Sequence, residues 1–302
     1  MPGKTVIIIT GPTASGKTDL AIRVAEHFDT SIISADSRQC FRELNIGVAK
    51  PDAAQLSAVH HYFINSHSVH EEMNAAIFES LAVQYCDEIF SHQNTAVLCG
   101  GTGLYIKAFR DGLDEIPPVN ESLRKSIALN FEEKGIRWLQ ESLRSTDSLF
   151  FSSGEMMNPQ RMMRALEVMQ TTGRSIVSYR KQEKKTRPFR ILEFATYLPR
   201  DQLYLRINQR VDSMIEQGLA EEAAIFFPYR HLNALQTVGY NELFETFDGK
   251  LTLDEAIALI KQNTRHYAKR QLTWLNKNAN LITLGTADPL KEIIENYGSP
   301  KI

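Results

Sequence analysis

The sequence predicts an α/β fold, a parallel sheet flanked by helices and interrupted by a helical insertion domain. In the first hundred residues, apolar runs typical of buried strands alternate with helical segments, as in parallel sheets covered on both faces. A helical stretch follows Pro117 and Pro118, and a strand-like segment at 190–195 returns the chain to the sheet. We therefore expect an α/β core with C-terminal helices, residues 1–118 and 190–302, and a helical insertion at 119–189.

The first strand runs straight into a phosphate-binding motif. An apolar β-branched run at 5–10 leads to Gly-x-x-x-x-Gly-Lys-Thr at 11–18, and an amphipathic helix follows. This is the setting of a P-loop in P-loop NTPase-like folds: backbone N–H groups surround two linked phosphates, Lys17 neutralises charge, and the Thr18 hydroxyl can bind Mg²⁺. The residues predicted to bind a diphosphate or nucleotide are Gly11, Pro12, Thr13, Ala14, Ser15, Gly16, Lys17 and Thr18.

The second and third strands end in polar segments. The second, at 31–34, ends at Ala35-Asp36-Ser37-Arg38-Gln39, and the third, at 95–99, ends at Gly100-Gly101-Thr102-Gly103. Because ligands of parallel sheets lie beyond the carboxyl ends of the strands, we expect Asp36 and Thr102 to converge on the P-loop.

No acidic residue ends the third strand, although a mechanochemical ATPase places an aspartate there to hold Mg²⁺. The carboxylate near the phosphates is instead Asp36. It could bind metal through water, act as a general base, or cap a helix N-terminus, and we favour the base.

The segment after 119 is predicted to be helical, with Asn158 as a helix cap, Pro159 in the first turn and Gly173 as the stop. Two further helices, at about 201–217 and 252–276, close the chain. The last one carries Lys261, Arg265 and Lys269 at intervals of four, which predicts that they share one face, and Tyr267 and Trp274 lie in the same segment. Basic groups interleaved with aromatics suit contacts with RNA phosphates and unpaired bases, but a solvated helix face with a core tryptophan gives the same pattern.

Composition excludes several classes of protein. With 302 residues, 43% of them hydrophobic, the chain can bury a full core, and no apolar stretch approaches the roughly 20 residues of a membrane span. The N-terminus begins with a core strand rather than a signal segment, so we expect a cytoplasmic protein with no membrane partner. The three cysteines lack the spacing of a disulfide framework or zinc site.

Charge is distributed unevenly along a chain whose net charge is −2. Residues 180–190 hold six basic groups against one acidic group, and residues 261–277 hold five basic groups and no acidic one. This pattern suggests a specific nucleic-acid or polyphosphate footprint rather than indiscriminate binding of polyanions.

Seven motifs in sequence resemble the tRNA dimethylallyltransferase family over nearly the whole chain. They are GPTASGKT at 11–18, SADSRQ at 34–39, HH at 60–61, GGTGLY at 100–105, QRMMRALE at 160–167, VGY at 238–240 and TRHYAKRQLTW at 264–274. The resemblance implies transfer of a dimethylallyl group from its diphosphate to the exocyclic amine of the tRNA adenine 3′ of the anticodon. It further implies Asp36, Lys17 and Thr102 as catalytic residues, and Mg²⁺ bound at Thr18.

The resemblance also implies binding residues. Arg206 and Arg210 would clamp the diphosphate, although a salt-bridged outer face is an alternative. The target base would be flipped out of the anticodon stem-loop, with the helical insertion contacting the tRNA. The residues implied in tRNA binding are Asp36, Ser37, Arg38, Gln39, Thr102, Arg124, Gln160, Arg161, Met162, Met163, Arg164, Gly239, Tyr240, Arg265, Lys269, Arg270 and Trp274.

The chain departs from the family pattern at Cys40-Phe41, Tyr62-Phe63 and Leu275-Asn276, which affects fine RNA contacts and the pocket wall. Two alternatives remain. A small-molecule kinase would hold ATP in the P-loop and use Asp36 to activate a hydroxyl, but it leaves the basic C-terminal helix without a role. A nucleic-acid-binding NTPase would explain the basic segments, but it needs a strand-end aspartate that this chain does not have. We expect a monomer.

Overall fold

The computed structural model describes residues 3–181, 183–285 and 287–298, so residues 1–2 and 299–302 at the ends of the predicted core lie outside the described part. The chain divides into an α/β unit, up to Arg110 and from Thr186 onward, and a helical unit, Asp111–Lys185. The sequence predicted that the helical unit begins at residue 119, after the two prolines, whereas the structure begins it at Asp111. The unit begins earlier because the Lys185 N–H donates to the Asp111 carbonyl at 2.8 Å, and Ile116 and Val119 pack on the helical core.

A parallel sheet forms the centre of the α/β unit, in agreement with the predicted fold class. The strand order is β3-β2-β4-β1-β5-β6, and each pairing is parallel. The register aligns Thr10 with Gly100 on one side and with Ala195 on the other, so three strands end at one level. The strands are β1 Thr5–Thr10, β2 Ile32–Ser34, β3 His61–Tyr62, β4 Thr95–Gly100, β5 Arg190–Ala195 and β6 Ile282–Thr283.

Helices follow the strands as the alternation of the sequence predicts. Leu20 and Val24 of the first helix pack in one cluster with Ile7 and Ile9 of β1, which holds that helix on the sheet. In the described residues the helices are α1 Lys17–His27, α2 Ala53–Ala58, α3 Ala75–Phe90, α4 Gly103–Asp111, α5 Glu121–Thr146, α6 Ser148–Ser152, α7 Pro159–Thr172, α8 Arg200–Glu216, α9 Leu219–Phe226, α10 Tyr240–Phe247, α11 Leu253–Leu275 and α12 Pro289–Gly298. None of the helices described here has the length and apolar content needed to cross a membrane.

The helical unit has its own core, built by α5, α6 and α7. Leu139, Leu143 and Phe150 are fully buried in it. The predicted signals of α7 are confirmed: the Asn158 side chain accepts from the Arg161 N–H, and Gly173 ends the helix with a φ of +69°.

Candidate active site

The P-loop is a rigid turn between β1 and α1. Gly16 has a φ of +83°, a left-handed conformation that favours glycine. At Gly11 the requirement for glycine is steric, because a Cβ there would collide with the side chains of Ser15 and Thr196. Those two hydroxyls are joined at 2.7 Å, and the Lys17 ammonium donates to the Pro12 carbonyl at 3.3 Å. The turn is thus held in shape by its own contacts.

Lys17 is a cation in a low-dielectric setting. Burial lowers the pKa of its ammonium, and the neighbouring Asp36 carboxylate partly opposes that shift. A bound anion at this position would offset the cost of burying the charge, which is the environment that a phosphate-binding lysine requires.

Gln271 of α11 joins two strand-end loops, and we did not single it out from the sequence. Its Oε1 accepts from the Thr13 N–H at 2.9 Å, and its Nε2 donates to the Gly101 carbonyl at 2.9 Å. The side chain is buried. The only signal was its place within the TRHYAKRQLTW motif, because an amide on a helix carries no spacing signature of its own.

Asp36 follows β2 and caps a turn rather than a helix. Its Oδ1 accepts from the Arg38 N–H at 2.9 Å and the Gln39 N–H at 3.3 Å, and residues 37–40 form a turn. Among the described residues, the hydrogen bonds made to Asp36 all use Oδ1. One oxygen therefore fixes the turn, and the carboxylate still lines the cavity described below.

Thr102 lies against the same turn, as expected from the strand order. Its Oγ1 accepts from the Ser37 N–H at 3.1 Å, and Tyr267 of α11 lines the same cavity as Thr102. Burial and the charge of Asp36 raise the pKa of the Tyr267 hydroxyl to about 12, so this hydroxyl stays protonated near neutral pH. Asp36, Thr102 and Tyr267 form one polar cluster beside the P-loop.

A cavity of about 440 Å³ opens between the P-loop and this cluster. Its size lies within the range of small-molecule sites. Its lining includes the cations Lys17, Lys50 and Arg210 and several apolar residues. The residues that matter below are Lys17, Thr18, Asp36, Gln39, Ile46, Val48, Ala49, Lys50, His61, Arg210, Tyr267 and Gln271.

A second, mainly apolar cavity of about 220 Å³ shares Tyr267 and Gln271 with the first. Thr102, Arg270 and Trp274 also line it. Gly103 lies directly beneath the Trp274 indole, where a Cβ would come within 2.5 Å of a ring carbon. The half-buried tryptophan therefore lies flush against the loop that follows β4, next to Thr102.

The two arginines of α8 both approach the P-loop. Arg210 lines the large cavity and donates to the Thr13 hydroxyl at 3.3 Å. The Arg206 guanidinium lies close to Gly16. The salt-bridged outer face considered from the sequence is not what the structure has, since both side chains turn toward the phosphate loop.

Other predicted binding residues near Asp36 are engaged within the protein. Arg38 donates to the Asn233 carbonyl at 2.8 Å and the Gln236 carbonyl at 3.4 Å. Gln39 donates to the Ala49 carbonyl at 2.9 Å. The side chains of the SADSRQ segment thus anchor the turn that carries Asp36.

The basic residues of α11 do not form one face. Lys261 pairs with Asp212 at 2.5 Å, and Arg265 donates to Asn208 at 2.7 Å, so both hold α11 against α8. Lys269 and Arg270 are exposed and border a shallow groove with His266 and Thr273.

Tyr240 and Gly239 require a correction, because the structure removes them from the surface. The Tyr240 side chain is fully buried, and its hydroxyl donates to Glu222 at 2.5 Å. The Gly239 N–H donates to Glu242 at 2.8 Å. In this conformation neither is available to contact RNA; the VGY motif packs α10 against its neighbours.

Met162 of the helical unit is corrected for the same reason. It is fully buried in the helical core, and Met163 packs partly against that core. Gln160 and Arg161 are exposed. Arg164 and Arg124 both approach Glu167, at 3.1 and 3.7 Å. The polar members of the QRMMR segment are the ones that reach the surface.

Comparison with known proteins places the chain among related sequences and structures. Residues 39–278 match the family model described as IPP transferase. A tRNA dimethylallyltransferase of Christiangramia forsetii is 47% identical over 276 residues, which cover 91% of both chains. One from Cytophaga hutchinsonii is 43% identical over 278 residues, 92% of this chain and 91% of the relative. The crystal structure of the full-length tRNA isopentenylpyrophosphate transferase of Bacillus halodurans has a TM-score of 0.70 at 34% identity, covering 97% of this chain and 94% of that one.

Proposed function

The chain belongs to the IPP transferase family, and we infer that it is a prenyltransferase that moves a dimethylallyl group from dimethylallyl diphosphate to the exocyclic amine of a tRNA adenine. The products are N6-isopentenyladenine and diphosphate. The structural observation that carries this function is the 440 Å³ cavity, in which the phosphate loop faces the Asp36 turn. The relatives give no support to the kinase alternative.

We propose that the P-loop holds the diphosphate as a leaving group. As the allylic C–O bond breaks, negative charge grows on the bridging oxygen. Lys17 and Arg210 both line the cavity, and with N–H groups of the loop they are proposed to stabilise that charge. Interactions that strengthen as this bond breaks lower the barrier rather than only tightening substrate binding.

Mg²⁺ is proposed to bind at Thr18. Thr18 lines the cavity and follows Lys17 at the start of α1. Within the described ranges, no group of three or more His, Cys, Asp and Glu side chains could hold a metal by itself. This fits Mg²⁺, which takes few protein ligands and completes its shell with water and substrate phosphates. It would neutralise charge on the diphosphate.

Asp36 is proposed to accept the proton of the amine. The adenine nitrogen attacks the allylic carbon, the N–C bond forms as the C–O bond breaks, and the amine proton passes to the carboxylate. The hydrogen bonds of Oδ1 fix the carboxylate in place, and Thr102 beside it offers a hydroxyl to the nucleotide. A general base contributes about 10²–10⁴-fold to the rate.

We propose that the target adenine lies 3′ of the anticodon and is flipped from its stem-loop into the second cavity. That cavity is mainly apolar, adjoins Thr102, and is bordered by Trp274 for stacking and Arg270 for a phosphate. The exposed Lys269, Gln160 and Arg161, with Arg124, are proposed to contact the tRNA. An active monomer is also proposed, and a tRNA substrate supports the proposed cytoplasmic location.

The test uses dimethylallyl diphosphate labelled in carbon, Mg²⁺ and two anticodon stem-loop RNAs. One carries adenine 3′ of the anticodon, and the other carries purine there, which lacks the exocyclic amine. We expect label in the adenine RNA and none in the purine RNA. Label in neither RNA, together with phosphate transfer from ATP to a small acceptor, would overturn the proposal.

A further inference from the structure

One wall of the large cavity is a loop between β2 and α2. This segment, residues 45–51, is here called the 45–51 loop, and its apolar residues Ile46, Val48 and Ala49 line the cavity. Lys50 and Pro51 line it as well. The wall lacks the regular hydrogen bonds of a strand or helix, so its position depends on contacts from elsewhere in the α/β unit.

A buried carboxylate supplies those contacts. Glu222 of α9 accepts from three successive backbone N–H groups, those of Asn45 at 3.1 Å, Ile46 at 2.9 Å and Gly47 at 3.0 Å. The Tyr240 hydroxyl donates to the same carboxylate at 2.5 Å. Glu222 is only 9% exposed, so losing one of these donors leaves a buried acceptor unsatisfied.

Tyr240 also fixes the loop by direct packing. A Cβ on Gly47 would lie 2.6–2.8 Å from the ring edge and the hydroxyl oxygen of Tyr240. The ring is fully buried, so it has no room to move aside. Burial and the Glu222 charge raise the pKa of the Tyr240 hydroxyl, which keeps it a donor throughout the working range of pH.

The other side of the loop is tied to the turn that carries Asp36. The Gln39 amide donates to the Val48 carbonyl at 3.4 Å and the Ala49 carbonyl at 2.9 Å. The Lys50 ammonium donates to the Phe41 carbonyl at 2.6 Å. The 45–51 loop is thereby held on one side by Glu222 and Tyr240 and on the other side by the segment that follows Asp36.

We propose that Glu222 and Tyr240 are positioning residues that hold the 45–51 loop as the wall against which the isoprenoid chain of the donor packs, and that this wall limits the chain length accepted. The inference rests on the proposed function. The cations Lys17 and Arg210 of the same cavity suit the diphosphate, whereas the apolar residues of the 45–51 loop suit the hydrocarbon. Because the buried Glu222 carboxylate fixes the backbone of this loop, the loop does not move away to make room for a longer isoprenoid.

The experiment compares Tyr240→Phe, Glu222→Gln and Gly47→Ala with the parent protein. We expect the KM for dimethylallyl diphosphate to rise about fivefold or more while kcat changes less than about twofold, because the chemistry is intact. Inhibition by inorganic diphosphate, which lacks the hydrocarbon, should not change. The kcat/KM for geranyl diphosphate relative to dimethylallyl diphosphate should rise about tenfold, the scale of methylene discrimination in apolar pockets.

Glu79→Gln is the matched control. Glu79 is another buried glutamate, paired with Arg187 at 2.8 Å, and it does not line the cavity. This variant should unfold at a lower temperature than the parent and keep the parent's donor KM and chain-length preference.

Failure of the inference and failure of the proposed function give different results. If the parent protein transfers no label, the function itself is wrong. If the parent is active and folded Tyr240→Phe keeps its donor KM and its rejection of geranyl diphosphate, the positioning role is wrong. Tyr240→Phe decides the matter should Glu222→Gln not fold, because it removes one hydroxyl and leaves the ring.

Discussion

Asp36 combines a structural contact with the proposed role of general base. Oδ1 accepts the backbone N–H groups of Arg38 and Gln39, and so it orders the turn at the end of β2. The sequence offered a cap and a general base as alternatives. The structure shows the capping contact, and the same carboxylate lines the cavity, so the two roles are compatible.

We predict that Asp36→Asn lowers kcat by about 10²–10⁴-fold, the contribution of a general base. The tRNA Kd should change less than about twofold, because asparagine keeps an Oδ1 that accepts both N–H groups. Single-turnover transfer and tRNA binding by filter retention measure the two quantities. Asp36→Ala, which loses the cap as well, serves as the comparison. A tRNA Kd that rises in proportion to the loss of kcat in Asp36→Asn would identify a positioning residue instead.

Arg210 and Arg206 provide a second comparison between single residues. Both side chains are exposed, but Arg210 lines the cavity and reaches Thr13, whereas Arg206 lies beside Gly16 outside the cavity lining. We predict that Arg210→Ala raises the inhibition constant of inorganic diphosphate about tenfold or more, as expected for loss of a charge-assisted contact. Arg206→Ala should raise it less. The reverse order of the two inhibition constants would show that Arg206 is the clamp.

Helix α11 lines the two cavities with one set of residues and packs against α8 with another. Tyr267 and Gln271 line both cavities, whereas Lys261 and Arg265 hold the helix against α8. The sequence analysis placed Lys261, Arg265 and Lys269 on one face. Eight residues of α-helix turn by about 80° beyond two full turns, and this rotation carries Lys269 out to solvent.

The division of α11 predicts which cations bind tRNA. Lys269→Ala and Arg270→Ala should each reduce the slope of log K against log salt by about one, the effect of one lost phosphate contact. Arg265→Ala should leave the slope unchanged and lower the melting temperature, since its guanidinium donates to Asn208. Binding titrations at several salt concentrations measure the slopes. A reduced slope for Arg265→Ala alone would contradict this assignment.

The 45–51 loop makes stability depend on pH through Lys50. Burial lowers the pKa of this ammonium to about 8 from its usual 10.5, so between these values the unfolded chain binds the proton more readily than the folded one. The free energy of unfolding should therefore rise with pH over this interval, by well below the limit of about 1.4 kcal/mol per pH unit, because solvent screens this partly exposed ammonium. Urea unfolding at pH 7.5 to 10 measures it. In Lys50→Met this rise should be smaller; an equal rise in both proteins would exclude Lys50 as its source.

At the scale of the molecule, the strand and helix signals of the sequence predicted the α/β class and the long strands correctly. A run such as 5–10, buried on both faces, carries a strong pattern, and parallel register then brings Thr102 to the Asp36 turn. The two-residue strands β3 and β6 were not predicted, because two residues carry no periodicity.

The tertiary contacts of the site could not be predicted from the sequence. Glu222 and Tyr240 lie far along the chain from the loop that they hold, and only the fold reveals that the VGY motif is buried. Gln271 bridges two loops from a distant helix in the same way. Such contacts depend on three-dimensional packing, which neither spacing nor composition records.

The central claim is that the P-loop holds the leaving group of an isoprenoid donor. Single turnover with dimethylallyl diphosphate labelled with ¹⁴C at the allylic carbon and with ³²P in the diphosphate tests it most directly. We predict that carbon label enters tRNA and phosphorus label leaves as inorganic diphosphate in equal amounts. Phosphorus label in an acceptor, or its release as monophosphate without carbon in the tRNA, would contradict the claim.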